Sequence, residues 1–218
     1  MTGAYAQTEL GHGSFVPGIQ TLATFDKATQ EFVIHTPSIT AIKFWPGDLG
    51  KFSNHAIVFA KLMVDGKAMG VHPFLVQTRN LQTWEPLPGI ECGDIGPKFG
   101  YQTKDNGYMI FNNVRIPRKN MLAKFVELDS TGQIQIKGDL RAIYGIMLET
   151  RVWIAFESSL QLSKALLITT RYAAVRRQFP TIEQGTKLER KLIDYQTHQF
   201  KLGPLIAYNY VMIVVARY

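Results

Sequence analysis

The chain has 218 residues, 46% of them hydrophobic and 19% charged, with a formal charge of +7. That balance excludes an intrinsically disordered chain and allows a sizeable core, in one large domain or one and a half ordinary ones. The single cysteine, Cys92, excludes an intrachain disulfide and a paired-cysteine zinc or redox site, and no apolar run approaches the ~18 residues of a membrane span.

In chain order, residues 21–136 read as β structure. Glu31–His35 is a short strand and Ala56–Val64 a longer one, closed by an Asp65-Gly66 hairpin turn. Val71–Gln77 reads as the returning strand, and Pro73 inside it points to an edge or a bulge. Asp105-Asn106-Gly107 is a turn before Tyr108–Phe111, and Asn112-Asn113 turns into Val114–Pro117. Short strands at this spacing predict an antiparallel barrel or sandwich. From about Asp139 the period changes: Leu140, Tyr144, Met147, Leu148, Arg151, Ile154, Ala155 and Leu162 recur at helical spacing, predicting one long helix to about Arg177. Pro180 and Gly185 break it. A second helical stretch is expected from about Lys187 through Leu202, interrupted by Gly203-Pro204. The fold class is therefore α+β, with a β domain over residues 1–136 and the first helices of an incomplete bundle over residues 137–218. Two helices cannot bury all their own apolar faces, so a partner chain or further residues are expected to cover them.

The positive balance favours anionic partners, a phosphate-rich small molecule among them, although a solvated basic surface is the commoner meaning. The basic residues are scattered, not gathered into the stripe of a nucleic-acid binder. The first residues lack a secretory pattern, and Val215-Ala216-Arg217-Tyr218 is no peroxisomal address.

Two stretches carry chemistry. In Tyr5-Ala6-Gln7-Thr8-Glu9-Leu10-Gly11-His12-Gly13-Ser14, the glycines permit close backbone approach to a ligand, and Thr8 and Ser14 offer hydroxyls. The Gly-Lys-Ser/Thr ending of a nucleotide-hydrolase loop is absent, and a plain turn is the commoner role of such a loop. Glu9 and His12 stand three residues apart, but no third ligand lies near them and the five histidines lack ligand spacing, so no metal is expected. No Gly-x-Ser-x-Gly elbow supports a hydrolase. In Ile42-Lys43-Phe44-Trp45-Pro46-Gly47-Asp48-Leu49-Gly50, Trp45 can stack on a flat heterocycle and Gly47 can present its N–H unobstructed, although tryptophan more often belongs to a core. Each stretch alone is ambiguous.

Together and in this order they resemble the flavin-contacting walls of an acyl-CoA oxidase, the oxygen-using branch of the acyl-CoA dehydrogenase superfamily. Gly96–Tyr101, Asp105–Tyr108, Arg115–Leu122, Arg171–Gln178 and Asp194–Thr197 fit the same pattern, so the resemblance covers essentially the whole chain. It implies FAD as cofactor and an acyl-CoA thioester and molecular oxygen as substrates. A carboxylate removes the α proton, the β hydrogen leaves as hydride to the flavin, and oxygen is reduced to hydrogen peroxide. By resemblance, Thr8 and Gly47 are flavin-binding, and Trp45 lies beside the isoalloxazine. Arg176, Gln178 and Phe179 match a segment that reaches the flavin of a neighbouring subunit, implying a homodimer. Arg151 matches a basic residue near the CoA ester. Related dehydrogenases carry threonine or serine where Gly47 stands, which favours oxidase. Asp48 stands where glycine is expected. The resemblance also implies a peroxisomal setting, an amino-terminal helical domain ahead of this region and a glutamate base beyond Tyr218. The chain alone is therefore expected to be inactive. The alternative is a non-catalytic module that binds flavin or CoA, or pairs with a full-length subunit.

Overall fold

A ten-residue strand, β5 (His55–Val64), organises the first part of the molecule, which is seen in a computed structural model describing residues 1–139, 145–180 and 189–216. Its even-numbered residues, Ala56 to Val64, are all buried and its odd-numbered ones, Phe59 apart, are half-buried, so one face is fully covered and the other in part. The Asp65-Gly66 turn, with φ of 49° and 75°, returns the chain into β6 (Lys67–Gln77). β6 therefore starts four residues earlier than its sequence suggests. Pro73 pairs with Phe59, and β6 has only β5 as a strand partner among the described residues, which is the edge setting proline tolerates.

The opposite edge of β5 is shared. β1 (Gly3–Ala6) pairs with residues 55–58, and β2 (Leu22–Asp26) pairs with residues 61–63. Both pairings are parallel, so the sheet is mixed where the sequence led us to expect antiparallel strands throughout. β3 (Glu31–His35) and β9 (Val114–Pro117) extend the sheet beyond β2. A second, three-stranded antiparallel sheet has the order β4 (Lys43–Gly47), β8 (Asn106–Phe111), β7 (Ile90–Asp94). Asn112-Asn113 is thus a corner that carries the chain from one sheet to the other, not a hairpin turn. One core, which includes Phe32, Ile34, Val58, Leu62, Phe74, Met109 and Phe111, draws on both sheets. A small ribbon of β10 (Val126–Leu128) and β11 (Ile134–Ile136) follows.

By its internal contacts the chain divides into two compact units, Met1–Leu140 and Arg141–Tyr218. In the second, α1 (Gly145–Val175) is one long helix; the first residues of its expected span, 140–144, lie outside those described. A short ribbon of β12 (Arg177–Pro180) and β13 (Glu189–Lys191) precedes α2 (Gln196–Val215). The second helix therefore starts later than expected. It also runs through Pro204, giving up the hydrogen bond that proline cannot donate. Ser163 and Asn209 hydrogen-bond between the two helices at 2.9 Å. No described helix is long and apolar enough to cross a membrane.

Candidate functional site

The Tyr5–Ser14 stretch leaves the sheet because of how β5 is shared. Ala6 pairs with Val58 and Leu22 with Lys61, so residues 7–21 depart across a gap of only Phe59 and Ala60. The departing chain pairs with the start of the second motif. Phe44 N–H donates to Thr8 O (3.0 Å), Leu10 N–H to Ile42 O (2.8 Å) and Gly11 N–H to Thr40 O (2.9 Å). Gly11 suits this close approach, since a Cβ would stand 3.0 Å from Thr40 Cβ and 3.1 Å from its carbonyl oxygen, tight enough to push Thr40 back by a few tenths of an ångström. Two motifs more than thirty residues apart are thereby laid side by side.

Between them lies a fully buried ion pair, Lys43 Nζ to Glu9 Oε1 at 3.0 Å. Lys43 also donates to Phe59 O (2.7 Å) and Gln7 O (3.1 Å), satisfying carbonyls where the β5 ladder is interrupted. Glu9 accepts further bonds from Gln20 N–H (2.8 Å), Thr21 N–H (2.9 Å) and the Thr21 hydroxyl (2.7 Å). Burial alone would raise the Glu9 carboxyl, but Lys43 and these donors outweigh it and hold the group below its ordinary range. Burial pulls the Lys43 ammonium down to about 8 against the opposing pull of Glu9. His12 turns away, its Nε2 lying 3.0 Å from Gly18 O.

The second motif ends in a strained turn. Trp45 has φ of 90°, exceptional for a bulky residue, and the β4–β8 register is irregular between Phe44 and Gly47. Asn106 Nδ2 donates to Trp45 O (2.6 Å) and so holds this excursion. The Asp105 carboxylate accepts N–H groups of Gly50 (3.3 Å), Lys51 (2.7 Å) and Phe52 (2.8 Å). Asp48 has φ of 64°, which explains why glycine is the expected residue; aspartate is among the few others that accept this conformation. Its carboxylate pairs with Lys104 at 2.7 Å.

The turn forms one wall of a cleft of about 490 Å³ lined by Trp45, Gly47, Lys98, Phe99, Gly100, Tyr101, Lys104 and Asn106. Trp45, Phe99 and Tyr101 are exposed aromatic faces. The ammonium groups of Lys98 and Lys104 stand among them, and no carboxylate is among the described residues that line the cleft. Thr8 is half-buried on the neighbouring loop. The arrangement suits a flat, anionic ligand.

The remaining residues of interest lie in the second unit. Arg176, Gln178 and Phe179 are exposed just past the end of α1, Phe179 with φ of 63°. Arg176 O accepts from Leu192 N–H (2.9 Å), and Gln178 O from the Tyr195 hydroxyl (2.6 Å), so the ribbon and the start of α2 fix their backbone. Arg151 is exposed near the start of α1, roughly 35 Å along the helix from Arg176. These two arginines are therefore not neighbours on α1.

Residues 144–218 match the family described as acyl-CoA oxidase, C-alpha1 domain. Peroxisomal acyl-coenzyme A oxidase 1 of Bos taurus is 49% identical over 216 residues, covering 99% of this chain and 32% of that protein. The Arabidopsis thaliana protein of the same name is 48% identical over 99% of this chain and 33% of its own length. The solved structure of Arabidopsis thaliana acyl-CoA oxidase 1 matches 99% of this chain and 33% of that one, with a TM-score of 0.93 at 47% identity. The chain belongs to the acyl-CoA oxidase family. It spans about a third of the length of the curated acyl-CoA oxidases it matches. Caenorhabditis elegans acyl-CoA oxidase-2, described as bound with FAD, ascaroside-CoA and ATP, matches 98% of this chain at 43% identity, with a TM-score of 0.93.

Sequence reasoning weighed Glu9 only as a partner for His12, and passed over Lys43. No local pattern marks Lys43: it opens β4 just after a 3-10 turn that ends at Ala41, so alternation along one strand does not reach it.

Proposed function

We propose that this chain provides the flavin-facing wall of an FAD-dependent acyl-CoA oxidase acting in fatty acid oxidation. The observation that carries the reading is the backbone pairing of the Thr8 loop with the Trp45–Gly47 turn beside an aromatic, cationic cleft. FAD fits these residues: the Trp45 indole offers a stacking face, Gly47 leaves its edge open, and Lys98 and Lys104 suit negative charge. Thr8 would meet the ring with a hydroxyl that has no hydrogen-bond partner among the described residues. The chemistry a bound FAD supplies is two-electron oxidation of the acyl thioester, followed by reduction of oxygen to hydrogen peroxide.

The chain's own part is binding and alignment. The carboxylates next in sequence to cleft residues are engaged, Asp48 by Lys104 and Asp105 by three N–H groups, so proton abstraction is assigned to neither. Arg176, Gln178 and Phe179 are proposed to reach the flavin of a second copy, and Arg151 to lie near the CoA ester. The names of the relatives support a peroxisomal setting. A non-catalytic flavin- or CoA-binding role is favoured for the chain on its own, since no carboxylate is among the described residues that line the cleft.

The test is titration of FAD with the purified chain, followed by quenching of flavin fluorescence. Saturable binding is expected, weakened by Gly47→Val, whose side chain would drive into Lys104 Cε from a Cβ only 2.5 Å away. Absence of binding, or equal binding by the variant, would overturn the assignment.

A further inference from the structure

We propose that the buried Glu9–Lys43 pair is the positioning device of the site, setting the Thr8 loop against the Trp45–Gly47 turn. This rests on the flavin reading and deepens it, because neither residue is among those matched to flavin contacts.

The pair sits where β1 has left β5 and β2 has not yet joined it. Lys43 there bonds Phe59 O of β5 and Gln7 O at the start of the loop. One carboxylate ties the beginning of the excursion to its end, through Gln20 and Thr21, and to β4 through Lys43. The next residue in the chain on each side of the pair is Thr8 and Phe44, and Trp45 follows. A shift of the pair therefore moves both walls together.

A buried ion pair is rarely more stable than a well-packed apolar pair of the same size, because desolvation offsets the attraction. What a fully bonded pair adds is a unique geometry. Neither side chain is exposed, so neither touches a ligand: they act through the loops they hold.

The experiment compares the wild-type chain with Glu9→Gln, Lys43→Met, the double variant, and Ile116→Val as a control in the core distant in sequence from both loops. Amide hydrogen exchange is measured across the chain, and FAD affinity by fluorescence. Glu9→Gln and Lys43→Met are expected to raise exchange in residues 7–12 by about tenfold more than in the β3–β9 ladder, whose exchange follows global stability. FAD affinity should fall by about tenfold or more, as expected when a binding wall is misplaced. The double variant carries no buried charge; it should melt close to wild type yet still bind FAD weakly. Ile116→Val should lower the melting temperature and leave FAD affinity intact. Wild-type exchange in residues 7–12, or wild-type FAD affinity in the double variant, would overturn the proposal. If the wild-type chain itself takes up no FAD, the flavin reading fails, and the exchange data still decide whether the pair holds the loop.

Discussion

At the scale of single residues, Glu9 and Lys43 illustrate how little a charge reveals about its own burial. Removing one partner leaves the other charged in a dry site, so Lys43→Met is expected to cost about 3–5 kcal/mol, read from urea denaturation. The pH dependence has a definite sign. The folded Glu9 carboxyl lies below its ordinary range, so its stabilisation is present above pH ~4.3 and lost as pH falls through the folded value. Glu9→Gln should flatten that acid limb relative to wild type. Lys43 is also depressed, to about 8, so the unfolded chain holds more protons above that pH. The penalty of burying the ammonium is then relieved as pH rises towards ~10.4, and the wild type should gain stability there relative to Lys43→Met. Parallel stability curves for wild type and variants would contradict both statements. Gly47→Val acts differently. It displaces Lys104 from an exposed pair with Asp48 worth no more than ~1 kcal/mol, so the variant should fold normally while losing FAD.

At the scale of elements, the Leu49-Gly50 turn lies directly against β8, with no room for a side chain at Gly107. A Cβ on Gly107 would lie 2.2 Å from Gly50 N and 2.5 Å from its Cα, both backbone atoms that cannot swing aside. Gly107→Ala is therefore expected to cost about 3 kcal/mol or more, lowering the melting temperature by roughly 6–12 °C; an unchanged melting curve would mean that the sheet gives way freely. How legible such elements are depends on whether their cause is local. β3 was readable to its last residue, because the β-favouring run Phe32-Val33-Ile34 between polar Glu31 and His35 is written in the strand itself. The parallel pairing of β1 and of β2 with β5 was not, since that partner lies about forty to fifty residues further on. Pro204 misled for a related reason: local breakers lower helix propensity, yet packing of α2 on α1 carries the helix through. Thr8 and Gly47 stood out only by resemblance, and the Glu9–Lys43 pair needed the fold to bring its halves together.

At the scale of the whole molecule, the two helices leave much apolar surface open. Val152, Trp153, Leu167, Ile168 and Val175 of α1 and Phe200, Tyr210 and Val215 of α2 are all more than half exposed. Surface of this kind is an association site. The purified chain is expected to self-associate at micromolar concentration, and a monodisperse monomer in sedimentation would count against that. It is also expected to release no hydrogen peroxide from acyl-CoA thioesters when supplied with FAD, because no carboxylate is among the described residues that line the cleft. Robust turnover would mean that a carboxylate of this chain reaches the thioester.

The shared edge of β5 has a consequence for how such a site can diversify. Residues 7–21 leave and rejoin the sheet at points only about 10 Å apart, since three strand steps separate Val58 from Lys61. The segment is thus an Ω-like insert between two strands already fixed by a common neighbour. Its length and sequence can drift without moving the register of any strand, provided that a carboxylate still meets Lys43. Ligand preference can then be retuned by exchanging a single loop, as a lens is changed on an unaltered camera body.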